Sequence, residues 1–188
     1  MSTGIWTVEE FADASLSNMT YSHKGHWAIG QPLSADTIRS LSTMMATFEG
    51  HAYGTVVVDG QMAEGFGRVA VSLDFANPED QARNNWALND FTADNLSEPL
   101  QAAVPLQHGR DVAGAFNGRY MGVEEGISVD GGLHGDLDNL QTAGTFTMNS
   151  FETSNIAISG SYAATGQAIA SPEPGTLPGE TDPVTVSR

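Results

Sequence analysis

The chain has no cysteine, and only 7 of its 188 residues are lysine or arginine. The first absence excludes disulfides, thiolate metal sites, cysteine nucleophiles and a lipidated cysteine within the chain. The second excludes most nucleic-acid binding, which needs clustered cations to release counterions from phosphate. Against those seven stand 23 aspartates and glutamates, giving a formal net charge of −16, which also disfavours anionic membrane surfaces. Long apolar runs are missing too, and none approaches the roughly 20 residues of a membrane-spanning helix. Residues 1–10 have neither the basic segment nor the apolar core of a signal peptide, so the expectation is a chain cut from a longer precursor or exported without an N-terminal mark.

What is present is a glycine-rich, half-apolar pattern of period two. Val69, Val71, Leu73 and Phe75 alternate with Arg68, Ala70, Ser72 and Asp74, as strands with one dry and one wet face do. The same alternation recurs at Met44-Ala46-Phe48, Trp86-Leu88, Phe116-Tyr120, Ile127-Val129-Leu133, Phe146-Met148 and Ile156-Ile158-Tyr162-Ala164. Turn residues separate these runs, among them Asp59-Gly60 and Asn77-Pro78-Glu79-Asp80. The expected fold is all-β: an antiparallel small β-barrel of about eight strands. In-phase glycines, as in Gly114-x-Phe116-x-Gly118-x-Tyr120-x-Gly122, favour a barrel over a flat sandwich, because closed sheets need bends and close approaches. Thr7-Val8-Glu9-Glu10 reads as the capped, acidic start of a short N-terminal helix near 7–14. A single domain over 1–170 is expected, followed by a flexible tail over 171–188 that holds four of the eight prolines.

Trp27-Ala28-Ile29-Gly30, then Ala46-Thr47-Phe48-Glu49-Gly50-His51-Ala52-Tyr53-Gly54-Thr55, then a strand ending Asp74-Phe75, resemble the small barrel domain of transferrin-binding-protein-like bacterial surface proteins. The resemblance covers residues 26–76, with a looser match from Gly114 to Gly122. The family's acidic and glycine-rich segment appears only as Val123-Glu124-Glu125-Gly126, with Gly131-Gly132 displaced downstream. The resemblance implies the barrel fold and a non-enzymatic, surface-exposed binding domain; members of the family bind host proteins, haem or other ligands.

Candidate sites are few. His51 alternates with Tyr53, and such a pair can ligate haem iron or simply pack across strands. His23 and His26, three apart, fall on opposite faces of a strand and read as solvent-facing. Asp130, Asp136 and Asp138 lie in a glycine-rich stretch resembling a calcium-binding nonapeptide, but there is one copy only and it departs from the EF-hand spacing. The alternative is a hairpin turning at Asp138-Asn139. Trp6, Trp27, Trp86, Phe91 and Met44-Met45 either floor a cavity for a small apolar ligand or fill the core. Gly-x-Ser-x-Gly, Walker and dinucleotide motifs are absent. The expectation is a non-enzymatic extracellular or cell-surface binding module with a protein partner or a small apolar ligand. The alternatives are a haem carrier using His51 and Tyr53, and a structural domain of a larger surface protein.

Overall fold

The computed structural model describes residues 2–11, 20–108, 114–122, 125–150 and 155–171. Ten strands and one short helix follow in order: β1 (Ser2–Phe11), β2 (Thr20–Ile29), α1 (Ala35–Ser40), β3 (Met44–Val58), β4 (Gln61–Asp74), β5 (Asn85–Ala93), β6 (Leu100–His108), β7 (Ala115–Met121), β8 (Glu125–Asp136), β9 (Asn139–Ser150) and β10 (Ile156–Ala170). Strands β3 to β10 each pair antiparallel with the next in sequence, and β10 returns to pair with β3 along its length. The product is a closed, up-and-down, eight-stranded barrel. Closure leaves these strands no free edge for another chain to extend.

Hairpin chemistry sets the register. Asp59 and Gly60 both have positive φ, 48° and 82°, the geometry a two-residue hairpin needs to match strand twist. Val58 therefore faces Gln61, and every pair down to Met45 and Asp74 follows. On β4, Val69, Val71 and Leu73 point inward, as the alternation requires. At the β8–β9 turn the Asp136 carboxylate accepts from the Asp138 and Asn139 amides. Asp136 pairs with Asn139 there, so the turn is Leu137-Asp138, one residue earlier than expected.

Side chains fill the barrel. Trp86, Tyr162, Phe48, Phe91 and Phe146 are all under 2 % exposed, and the Trp86 ring lies 5.3 Å from Phe146 and 6.0 Å from Tyr162. Glycines make the room: a Cβ on Gly160 would strike the Phe146 ring, and one on Gly131 would strike Tyr162 and Phe116. Burial pushes the Tyr162 phenol pKa up, keeping it neutral inside the core. Trp86 and Phe91 thus belong to the core, while Trp27 lies outside it, its indole over Gly4 of β1.

Residues 7–11 belong to β1 and not to the expected helix; 12–14 lie outside the described residues. A two-turn helix is marginal alone, whereas the strand gains ten register pairs with β2. Among the described residues the one α-helix is α1, capped by Ser34, whose Oγ accepts from the Thr37 amide at 3.1 Å. Leu41, just after it, is fully buried.

The β1–β2 hairpin forms its own two-stranded sheet. His26 Nε2 lies 3.3 Å from Thr55 Oγ1 on β3, and four residues later a Cβ on Gly30 would fall 2.5 Å from the His134 ring on β8. Strand β2 therefore crosses β10 and β9 on the outside of the barrel.

One end of the barrel is held by a polar knot around Asp74, which is fully buried. Its carboxylate accepts from the Ala76 and Asn77 amides, Asn77 Nδ2, Arg83 Nη1 at 3.2 Å and Ser171 Oγ at 2.9 Å. Burial alone would raise the Asp74 pKa, but the hydrogen bonds from Asn77, Ser171 and Arg83 outweigh it and hold the carboxyl below its ordinary value. Ser171, assigned to the tail by composition, is thus anchored to the barrel; its amide also donates to the Thr43 carbonyl. Residues 172–188 of the expected tail lie outside the described residues.

Candidate functional site

With the barrel centre filled around Trp86 and Tyr162, the exposed apolar side chains lie on the outside. The outer face of β3 and β4 presents, pair by pair, Val57 with Met62, Thr55 with Glu64, Tyr53 with Phe66, His51 with Arg68 and Glu49 with Ala70. Tyr53 and Phe66, directly opposed, are 55 % and 64 % exposed. Met62 is also more than half exposed and lies on the same face. Ordinary packing spends aromatic side chains on burial. Here two opposed rings form an apolar ridge in solvent, with Met62 beyond the Thr55–Glu64 pair on the same face.

Polar groups border the ridge. Arg68 pairs with Asp90 of β5, which sits at φ 51° inside an irregular stretch where β4 and β5 shift register. A β-bulge of this kind re-aims side chains, and it brings Asp90 beside Arg68. Glu49, His51, Arg68, Asn89, Asp90 and Gln101 then line a shallow groove of about 480 Å³ next to the ridge. On the other flank His26 of β2 covers Thr55. The patch carries Glu49, Glu64 and Asp90 against Arg68, so it is net acidic.

The predicted haem pair is brought together: His51 and Tyr53 are neighbours on one face of β3, both projecting outward and exposed. Of the three aspartates, Asp136 and Asp138 share the β8–β9 turn and Asp130 stands apart. Asp130 is an exposed mid-strand residue of β8, about 20 Å of extended chain from Asp136, and Asp136 spends its carboxylate on the turn amides. Among the described residues no group of three His, Asp or Glu side chains could hold a metal ion. Of the histidines set apart in the sequence, the side chain of His23 lies outside the described set, while His26, on β2, is partly buried against Thr55 of β3 rather than solvent-facing.

Sequence reading missed Phe66, Arg68 and Asp90. The first two were reachable, because the Asp59-Gly60 turn sets the register that places them opposite Tyr53 and His51. Asp90 depends on the bulge, for which the sequence holds no short-range sign. No helix among the described residues is long and apolar enough to cross a membrane. No known family model matches the chain, and no curated protein is similar to it.

Proposed function

We propose that this chain is a non-enzymatic binding module, working outside the cell or at its surface, that recognises a basic protein partner through the outer face of β3, β4 and β5. The observation that carries the reading is the opposed, solvent-exposed Tyr53–Phe66 pair on a barrel whose interior is already packed. Binding energy concentrates on a few aromatic and arginine anchors ringed by polar groups, and the ridge with its acidic border has that form. A net charge of −16 repels a second copy of the chain and attracts a cationic partner. The resemblance of residues 26–76 to transferrin-binding-protein-like domains supports the surface setting.

A haem carrier would draw on His51 and Tyr53, and a hemin titration separates the two readings. Surface recognition predicts no Soret shift that depends on His51; a Soret band lost in His51→Ala would support haem. Association with an arginine- and tryptophan-containing peptide tests the preferred reading. Its on-rate should fall as salt rises, since steering between opposite charges is screened. A salt-independent rate, or equal binding of a glutamate-rich peptide, would refute it.

A further inference from the structure

At the barrel end held by Asp74, two clefts meet. One, of about 610 Å³, is largely apolar, walled by Ile38 of α1, Leu73, Phe75, Phe116 and Leu133. The other, of about 650 Å³, is more polar, with Glu79, Gln107, Asn117 and Asp130 in its wall. They share His108, Ala115 and Phe116, so a molecule lying across the junction touches both. Volumes of this size suit a small organic ligand.

We infer that this junction is a small-molecule site for an apolar amine, the hydrocarbon part in the Leu73–Phe75–Leu133 cleft and the ammonium turned toward Glu79 and Asp130. Charge decides the class of head group. Among the described residues, both ionisable groups in the wall of the polar cleft, His108 apart, are carboxylates, at Glu79 and Asp130. The apolar cleft has one cation among the described residues, Arg39, already joined to Asp36 at 2.5 Å. A carboxylate ligand would meet like charge at the polar end; an ammonium meets two opposite charges there.

The walls are preorganised. His108 sets its ring edge-on to Phe75 at 5.2 Å and its Nε2 2.9 Å from Asn84 Oδ1. The Asn84 amide nitrogen donates to the Asn77 and Asp80 carbonyls, so its oxygen is the acceptor and His108 Nε2 carries a proton. Burial lowers the His108 pKa despite the Asp74 carboxylate nearby, so near neutral pH the imidazole adds no positive charge to repel an ammonium. The site shares no residue with the outer aromatic ridge, and either can fail without the other.

The test uses three probes of one shape: phenylbutylamine, phenylbutanol and phenylbutyrate, titrated into the full chain and followed by calorimetry and amide NMR. The amine should bind, with shifts centred on His108, Ala115, Phe116 and Leu133, and the carboxylate should bind about tenfold more weakly. Glu79→Gln combined with Asp130→Asn should erase the preference for the amine over the alcohol. Ala115 is exposed, so Ala115→Trp should block the junction and abolish binding while leaving the thermal midpoint unchanged. The inference is overturned if none of the probes binds, if the carboxylate matches the amine, if the shifts centre elsewhere, or if a folded Ala115→Trp protein still binds.

Discussion

His108 and Asn84 are locked to each other, imidazole Nε2 to amide Oδ1 at 2.9 Å, where the barrel closes at one end. The same Asn84 oxygen accepts the Asp74 backbone amide at 2.6 Å. A titratable ring is thereby tied to the residue that holds the loop from β4 to β5.

Acid should weaken the fold in two stages. Burial lowers the pKa of His108 and of His134, whose ring is covered by Gly30, below the ordinary 6.5. Below about pH 6.5 the unfolded chain takes up protons that the folded one refuses, so stability falls as pH drops toward the folded-state values. Asp74, held below 3.8, adds a second loss in more acid solution. Urea midpoints should be lower at pH 5.5 than at pH 7.5, and less so in His108→Gln, which removes one titrating ring. A midpoint that rises on acidification over this range would contradict the assignment.

Removing the carboxylate at the knot should cost more than any surface change. Asp74→Ala removes the buried carboxylate that Arg83 Nη1, the Ala76 and Asn77 amides, Asn77 Nδ2 and Ser171 Oγ share, while Arg83 keeps Asp80 at 3.3 Å. Breaking one side of a buried pair costs about 3–5 kcal/mol. Arg68→Ala, at the exposed pair with Asp90, should cost less than about 1 kcal/mol. Denaturant unfolding of the two variants checks the order.

The β2 strap should detach without unfolding the barrel. In Gly30→Val the new side chain must displace the His134 ring or lift the strand. Hydrogen exchange in β1 and β2 should quicken by at least about tenfold while β8 to β10 keep their protection, since local units open independently. Equal quickening throughout would make the strap part of the core.

The sequence made the barrel legible and the site only partly so. Period-two alternation and glycines placed where rings must lie, Gly131 under Tyr162 for one, are local signs of a closed sheet. The Asp59-Gly60 turn also carried the register of β3 on β4. The helix was misplaced because Thr-Val-Glu-Glu supplies a cap-like start without a partner, whereas the real helix behind Ser34 is too short to show a period. His51 and Tyr53 were visible as a pair. Their exposure was not, because whether a face is covered depends on where β2 crosses. The knot joins Asp74 to Ser171, 97 residues apart, a contact that exists only after β10 closes on β3. Asp130 stands apart from Asp136 and Asp138 for the opposite reason: an extended strand keeps near neighbours in sequence far apart in space.

The central claim, recognition by the outer face of a filled barrel, is tested most directly by mapping where a cationic peptide binds. Amide NMR of the chain titrated at low salt with an arginine- and tryptophan-containing peptide should show shifts confined to the outer residues of β3, β4 and β5. The double variant Tyr53→Ser/Phe66→Ser should lose them while its thermal midpoint changes little, because both rings are largely in solvent already. Shifts centred on core residues such as Trp86 and Leu88, or undiminished binding in the double variant, would contradict the account.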